Sequence, residues 1–275
     1  MQTIKEIISF CFAVAILFFV TSCNNTPSQT PSAGPSPKSP EELIVILHAG
    51  GGADGLTYLN AQETFEHYYE LGYRYFEYDL KLSADGRIIG THANEHLDMK
   101  DVQNITYEDF KALKLENGYT PVNEEWLIDT IRNHPDVSFV IDAKMDSTEG
   151  DAAVLKRLEE LEGIYNIDIS PNIVPEIFSK QMWDIAKETT SFDRYLFSHY
   201  KVYYTVDMML EYFSDERIWG FALPTYTDGD IRSQLYRVKE TKKIFVFTPH
   251  NMAEIYDAAS MGADGVYLDY GLITE

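Results

Sequence analysis

The sequence predicts an α/β chain that closes as a single (β/α)₈ TIM-type barrel. Three observations carry this expectation. Eight short runs rich in β-branched and aromatic residues alternate with helix-like segments, the pattern of a parallel sheet with helical crossovers. The stretch from Glu41 to Glu275 holds about 235 residues, which suits one barrel. The polar residues with chemical reach fall at the C-terminal ends of the predicted strands, where a barrel assembles its site. An open doubly wound sheet is the alternative topology with the same alternation.

The chain begins with a segment that is not fold. Lys5 precedes an apolar run, Ile7 to Val20, of about 14 residues. That length suits the core of a signal peptide and is short for a membrane span. The run ends in Val20-Thr21-Ser22-Cys23, and small residues before a Cys resemble the bacterial lipoprotein processing box. The resemblance implies removal of residues 1–22 and lipidation of Cys23; the alternative is a short membrane anchor. Asn24 to Pro40 is rich in Pro, Ser, Thr and Asn and has no apolar residue larger than Ala33. Such a stretch cannot bury a core and reads as a disordered tether over residues 23–40. Together these features predict an extracytoplasmic, membrane-anchored bacterial lipoprotein whose body spans residues 41–275.

Within the body, strands are predicted at Leu43–Leu47, Tyr73–Leu80, Val137–Ala143 and Ile173–Phe178. Four more follow at Tyr195–Ser198, Ile218–Leu223, Ile244–Thr248 and Gly265–Leu268. Helical patterns fall between them, among them Asn60–Leu71, Asp151–Leu161, Thr205–Phe213, Asp228–Glu240 and Met252–Met261. Apolar residues make up 45% of the chain and charged residues 24%, a globular composition that excludes collagen-like and wholly disordered chains. The charge is 22 basic minus 44 acidic residues, or −22, which argues against a nucleic acid partner. The 2 cysteines, Cys11 and Cys23, both lie near the N-terminus, so no disulfide framework or cysteine zinc site exists in the body.

The candidate site grows from strand ends. His48 follows the first strand, and Gly50, Gly51 and Gly52 come next, which permits close backbone approach to a ligand. Glu77 and Asp79 are two residues apart, so they share one face of the second strand, while Phe76, Tyr78 and Leu80 face the helices. Two acids aimed into a barrel repel one another and require a cation. A hard divalent ion, Mg²⁺ or Ca²⁺, is the natural partner of carboxylate oxygens. Asp142 completes a three-carboxylate set, and Lys144 shares its face and can bind an anionic group. His92 follows the Asp85-Gly86 turn and the strand-like Arg87–Thr91. Glu176 ends the fourth strand within reach of the site, and Tyr226, Phe247 and Tyr267 lie near late strand ends as candidate pocket residues. His67, His134 and His199 read as structural, and His96 reads as part of an exposed loop.

Taken in order, these residues resemble the glycerophosphodiester phosphodiesterase family, a branch of the phosphatidylinositol-phospholipase-C-like barrels. The family's His-Arg-Gly falls on His48-Ala49-Gly50, and its Pro-Glu-Asn-Thr stretch on Tyr58-Leu59-Asn60-Ala61, where Asn60 alone is kept. Its Glu-x-Asp pair falls on Glu77-Tyr78-Asp79, its Asp-Gly turn on Asp85-Gly86 and its second His-Asp on His92-Ala93. Its Pro-x-x-Glu-Glu segment resembles Pro121-Val122-Asn123-Glu124-Glu125. Its Glu-x-Lys falls on Asp142-Ala143-Lys144, as in sphingomyelinase D-like relatives, and its closing Gly-x-Asp-Gly on Gly262-Ala263-Asp264-Gly265. The departures are Ala49 for the family Arg, Ala93 for the Asp and Asp142 for the Glu. The segment from His92 to Pro121 is short, which leaves little room for the family's inserted region.

The resemblance implies a phosphodiesterase that hydrolyses glycerophosphodiesters to glycerol phosphate and an alcohol. His48 and His92 would be the acid–base pair, Glu77, Asp79 and Asp142 the metal ligands, and Lys144 a contact to the substrate phosphate. The substrate would be a small glycerophosphodiester or a lipid headgroup diester. The alternatives are a lipid-headgroup-cleaving barrel and a catalytically silent one that acts as a surface binding module; the losses at Ala49 and Ala93 favour the silent one.

Overall fold

A computed structural model describes residues 37–92, 96–97 and 104–271. The segment with Cys23 and most of the tether lies outside the described residues, as does Ala93. Among the described residues no helix is long and apolar enough to cross a membrane.

The strands are β1 (Ile44–Leu47), β2 (Tyr75–Leu82), β3 (Ile88–Gly90), β4 (Ser138–Ala143), β5 (Ile173–Ile177), β6 (Tyr195–Ser198), β7 (Ile218–Pro224), β8 (Lys243–Phe247) and β9 (Gly265–Leu268). All but β3 are parallel and follow one another around a ring, and β1 closes it by pairing with both β2 and β9. The fold is therefore the (β/α)₈ barrel, not the open sheet, and the eight predicted strands are its eight staves. β3, within the strand-like Arg87–Thr91, is an addition: it runs antiparallel to the outer half of β2 through Leu80↔Gly90 and Leu82↔Ile88. This hairpin carries β2 beyond the barrel rim. Glu77 and Asp79 consequently sit mid-strand inside the mouth rather than at the strand end.

The helices are α1 (Gln62–Glu70), α2 (Tyr107–Lys111), α3 (Glu124–Asn133), α4 (Thr148–Tyr165), α5 (Lys180–Thr189), α6 (Val206–Tyr212), α7 (Gly229–Arg232), α8 (Leu235–Lys239) and α9 (Met252–Ser260). The helix expected over Asp228–Glu240 is two short ones, because Gln234 leaves helical geometry between α7 and α8 (φ −111°, ψ 3°). Side chains that accept an N–H of the first turn start most of the others: Asn123, Ser147, Ser179, Thr205 and Asn251 cap α3, α4, α5, α6 and α9. These caps fix where each strand's loop ends, and so hold the mouth of the barrel.

Strand alternation builds two cores. Ile46, Val140, Val174, Leu196, Ala222 and Phe245 point inward and fill the barrel floor. Phe76, Tyr78, Phe139, Phe197 and Phe221 point outward under the helices. Full burial of a side chain of this size stabilises by about 1.5–3 kcal/mol. The floor is apolar, so polar residues one layer higher mark the candidate functional end.

Candidate active site

The C-terminal mouth gathers the predicted residues. His48, Glu77, His92, Asp142 and Lys144 line one pocket with Glu176, Tyr200, Phe247 and Tyr267, and it holds about 210 Å³. Asp79 stands beside Asp142 in the β2–β4 register, side chains on one face. Carboxylate oxygens of Glu77, Asp79 and Asp142 lie within 4.8 Å of one another, and all three residues are buried. Lys144 Nζ is 3.2 Å from Asp79 Oδ1 and donates a short hydrogen bond to Asp142 Oδ2.

One lysine does not balance three acids. Glu77 Oε1 and Asp142 Oδ1 are buried and accept no hydrogen bond, and Asp79 Oδ1 meets only the Lys144 ammonium, without hydrogen-bond geometry. An unpaired buried carboxylate oxygen is costly, and like charges at this spacing compound the cost. Burial pushes the Glu77 carboxyl well above its usual range, with the charges of Asp79 and Asp142 adding to it. Burial also raises Asp142, against the pull of Lys144. The Lys144 pKa rises as well, which favours its charged form: burial opposes that charge, but Asp142 and Asp79 outweigh burial. A divalent ion fits this donor set, with hard oxygen donors on three sides and vacant lone pairs.

The remaining acceptor positions are fixed by neighbours. Glu77 Oε2 accepts the Ala49 N–H at 2.7 Å. Ala49 reaches this position in the left-handed region (φ 48°, ψ 38°), a conformation unusual for an alanine. Its side chain offers no cation, but its backbone orients a carboxylate. Asn60 braces Asp79 twice: its Nδ2 donates to Asp79 Oδ2 at 2.9 Å, and its Oδ1 accepts the Asp79 N–H at 2.9 Å. The glycines after Ala49 serve packing rather than ligand approach. A Cβ on Gly50 would lie 2.5 Å from the Tyr78 ring, and the Tyr68 and Tyr270 rings fill the space at Gly51 and Gly52.

Three residues the sequence reading did not single out complete the site. Asp269 lies 2.7 Å from His48, Oδ1 to Nδ1. When Nδ1 carries the proton and donates to Asp269, Nε2 turns its lone pair into the pocket, 3.9 Å from Glu77 Oε2. Tyr58 stands between the histidines, its ring centroid 4.8 Å from His48 and 4.6 Å from His92. The Tyr200 hydroxyl is 3.4 Å from both Lys144 Nζ and Asp142 Oδ2. Asp269 directly follows β9, so the strand-end rule already contained it; Tyr58 and Tyr200 sit in loops where no rule of alternation applies. Glu176 accepts from the Tyr267 hydroxyl at 2.5 Å across the barrel. Burial, then Asp142, push its carboxyl up to about 7.

The other histidines stand apart from the pocket. His199 is buried and bonds Tyr204, and His134 packs on Phe65 and Tyr69. His96 is not the exposed loop residue expected: its Nε2 meets the Thr57 carbonyl at 2.6 Å, and its side chain is half-buried. Asp264 of the closing Gly-x-Asp-Gly motif lies near the start of β9, clear of the pocket. It holds Lys38 and Lys239 at 2.7 Å each and the Ile244 N–H at 2.9 Å, a structural role.

The sequence matches the model of the glycerophosphoryl diester phosphodiesterase family over residues 48–271. The chain belongs to this family. The match places it among the phosphoric diester hydrolases and runs from His48, the first site residue, past Asp269. No curated protein matches the sequence. Among solved structures, a glycerophosphodiester phosphodiesterase from Parabacteroides distasonis is 18% identical with a TM-score of 0.64, covering 83% of this chain and 93% of that one. One from Thermotoga maritima is 22% identical with a TM-score of 0.60, covering 82% and 94%. An Oleispira antarctica phosphodiesterase, in complex with the product sn-glycerol-3-phosphate, is 17% identical with a TM-score of 0.66, covering 82% and 92%. At these identities the likeness is one of fold, and it extends over nearly the whole of each relative.

Proposed function

We propose that this chain is a metal-dependent phosphodiesterase that hydrolyses glycerophosphodiesters to glycerol phosphate and an alcohol. One observation carries the reading: three buried carboxylates with vacant oxygens stand beside a histidine oriented by Asp269. The product bound by the Oleispira phosphodiesterase supports glycerol phosphate as the product here. Glu77, Asp79 and Asp142 would hold the ion, which supplies positive charge to the anionic diester.

The chain's own residues do the rest. His48, with Nδ1–H donating to Asp269, takes the proton of the attacking water, or of a neighbouring substrate hydroxyl, on Nε2. His92 gives a proton to the departing alcohol. Tyr58 fills the space between the imidazoles and limits where each can turn. Lys144 offers its ammonium to the phosphate, a contact that matters more because Ala49 provides none. Lipidation of Cys23 would hold the barrel on an extracytoplasmic membrane face. Labelled fatty acid should enter the wild-type chain and not Cys23→Ala; equal labelling of both removes the anchor.

The test of activity is glycerol phosphate release from glycerophosphocholine and glycerophosphoethanolamine, with Ca²⁺, with Mg²⁺ and with chelator. Ion-dependent release is the expected result. A folded, ion-binding protein that releases nothing from any diester would return the chain to the silent-barrel reading.

A further inference from the structure

The pocket wall that carries Tyr200 extends beyond the pocket. After β6 the chain runs His199-Tyr200-Lys201-Val202-Tyr203-Tyr204. Both ends of this loop are pinned. Buried His199 accepts the Tyr204 N–H at 2.8 Å on Nε2, and the Tyr204 hydroxyl accepts the Lys180 N–H at 3.0 Å. The Tyr204 ring packs edge-on against Phe197 and Phe213. The tip is left facing solvent: Tyr200 is 42% exposed, Val202 40% and Tyr203 61%. Across from it Tyr226, 82% exposed, stands on the turn closed by Thr227 N–H to Pro224 O at 3.0 Å. Nine large apolar or aromatic residues are exposed among the described residues, and these are four of them. They frame one groove with Pro224 and Ile231.

Aromatic and aliphatic side chains make up most of this groove, and among the described residues no Lys or Arg lines it. Lys201 turns away, with Nζ 3.2 Å from Asp151 and 3.8 Å from the Phe178 ring centroid. Asp228, the charged lining residue, is engaged as a helix cap and accepts the Asp230 N–H at 2.7 Å. A pinned loop that presents apolar side chains to water is a binding feature more than a folding one. The groove adjoins the active-site pocket at Tyr200, which lines both. One edge of Tyr200 meets Lys144 and Asp142, and its ring packs edge-on against Phe178 and Phe247.

We infer that the groove is a subsite for an aliphatic chain, so that the substrate is a phosphodiester amphiphile carrying one acyl or alkyl chain. With its phosphate at Lys144, such a substrate runs its chain past Tyr200 and between Tyr203 and Tyr226. The inference rests on the phosphodiesterase reading and deepens it. The reaction is unchanged: water oxygen bonds to phosphorus, one ester P–O bond breaks, and the water proton goes to the departing alkoxide. Each fully buried methylene is worth about fourfold in affinity, and a groove open on one side about twofold.

The test uses the full chain, an activating divalent ion, glycerophosphocholine and its monoacyl derivatives of increasing chain length below their micelle concentrations. KM should fall about twofold per added methylene at constant kcat. In Tyr203→Ser/Tyr226→Ser this dependence should flatten while glycerophosphocholine turnover stays within twofold of wild type. Turnover of glycerophosphocholine with no chain-length dependence overturns the subsite and leaves the diesterase reading standing. Equal loss on all substrates shows that the groove reads the shared headgroup, which also overturns it. An effect confined to lysolipid embedded in neutral vesicles shows membrane docking instead. Calorimetric binding of the same ligands, in both proteins, reads the chain-length dependence even where nothing is turned over. A loss of turnover on every diester would thus remove the diesterase reading alone.

Discussion

Two groups of buried acid in this chain are treated in opposite ways. Glu124, at the start of α3, is fully buried, and each of its oxygens is used. Arg87 Nε and Arg157 Nη2 donate to Oε1 at 2.9 Å each, and Arg157 Nε and the Ile88 N–H donate to Oε2 at 3.0 and 3.1 Å. Burial pushes its pKa up, but the Arg157, Ile88 and Arg87 contacts outweigh burial and the net shift is downward. Glu77, Asp79 and Asp142 are as deeply buried, yet each keeps an oxygen with no hydrogen bond. There the net shift of Glu77 and Asp142 is upward. Burial does not separate the two groups. The shortage of partners does, since a fold gains nothing from carboxylates it leaves short of donors.

The largest expected effect breaks the comparison on the functional side. Asp79→Asn should lower turnover on the order of 10³-fold or more, equivalent to about 4 kcal/mol of transition-state stabilisation, with the circular dichroism spectrum unchanged. His48→Ala should fall in the range of about 10²–10⁴-fold. Steady-state release of glycerol phosphate measures both. Near-wild-type rates in either would mean that the vacant oxygens, or the Asp269-oriented imidazole, serve something other than this reaction.

The structural side should break differently. Glu124→Ala removes the buried partner that Arg87 and Arg157 share and should cost on the order of 3 kcal/mol in urea unfolding. Metal affinity and kcat of the folded fraction should hold within about threefold, because none of Glu124's partners lines the pocket. A loss of kcat as large as that of Asp79→Asn would show that the two groups are one functional unit.

How much of this was legible in sequence follows from the same contrast. Alternation along β2 and β4, with the order of His48, Glu77, Asp79, His92, Asp142 and Lys144, sufficed to assemble the mouth, because a strand fixes its side-chain directions locally. Glu124 was visible within Pro121-Val122-Asn123-Glu124-Glu125, but its role was not. Its partners Arg87 and Arg157 come from β3's approach and from α4, and only the fold brings them together. The same applies to Tyr58, whose place between two histidines depends on a loop in the left-handed region (φ 58°). Gly50 to Gly52 misled in the opposite sense: their small size admits tyrosine rings rather than a ligand, a fact of packing that no local pattern records.

A smaller effect sharpens the comparison by its sign. Glu77→Gln removes one of the mutually repelling buried charges, so in chelator it should stabilise the protein by about 1 kcal/mol. The order should reverse with ion present. Wild type gains about 2.7 kcal/mol at an ion concentration of 100 times Kd, and the variant should gain much less. Melts of both proteins, with and without millimolar Ca²⁺ or Mg²⁺, check this. A variant less stable in chelator would show that Glu77 is held by the Ala49 N–H strongly enough to offset its neighbours. A wild-type melt unchanged by ion and chelator would remove the metal site.

The smallest effect is the pH dependence of the Glu124 contact. Its folded pKa lies below the ordinary carboxyl value of 4.5, so the folded state binds fewer protons than the unfolded one. The stability this supplies is fully present above about pH 4.5 and is lost as pH falls through the lowered folded pKa. Glu124→Gln keeps the shape and removes the charge. In chelator, the gap in unfolding free energy between wild type and Glu124→Gln should therefore be constant from pH 7 to 5 and narrow below that. Glu77 and Asp142, whose shifts run the other way, are common to both proteins and cancel in the difference. A gap that stays constant down to pH 3.5 would mean that Glu124 acts through packing and hydrogen-bond shape. The contrast between the two acid groups would then rest on geometry rather than on charge.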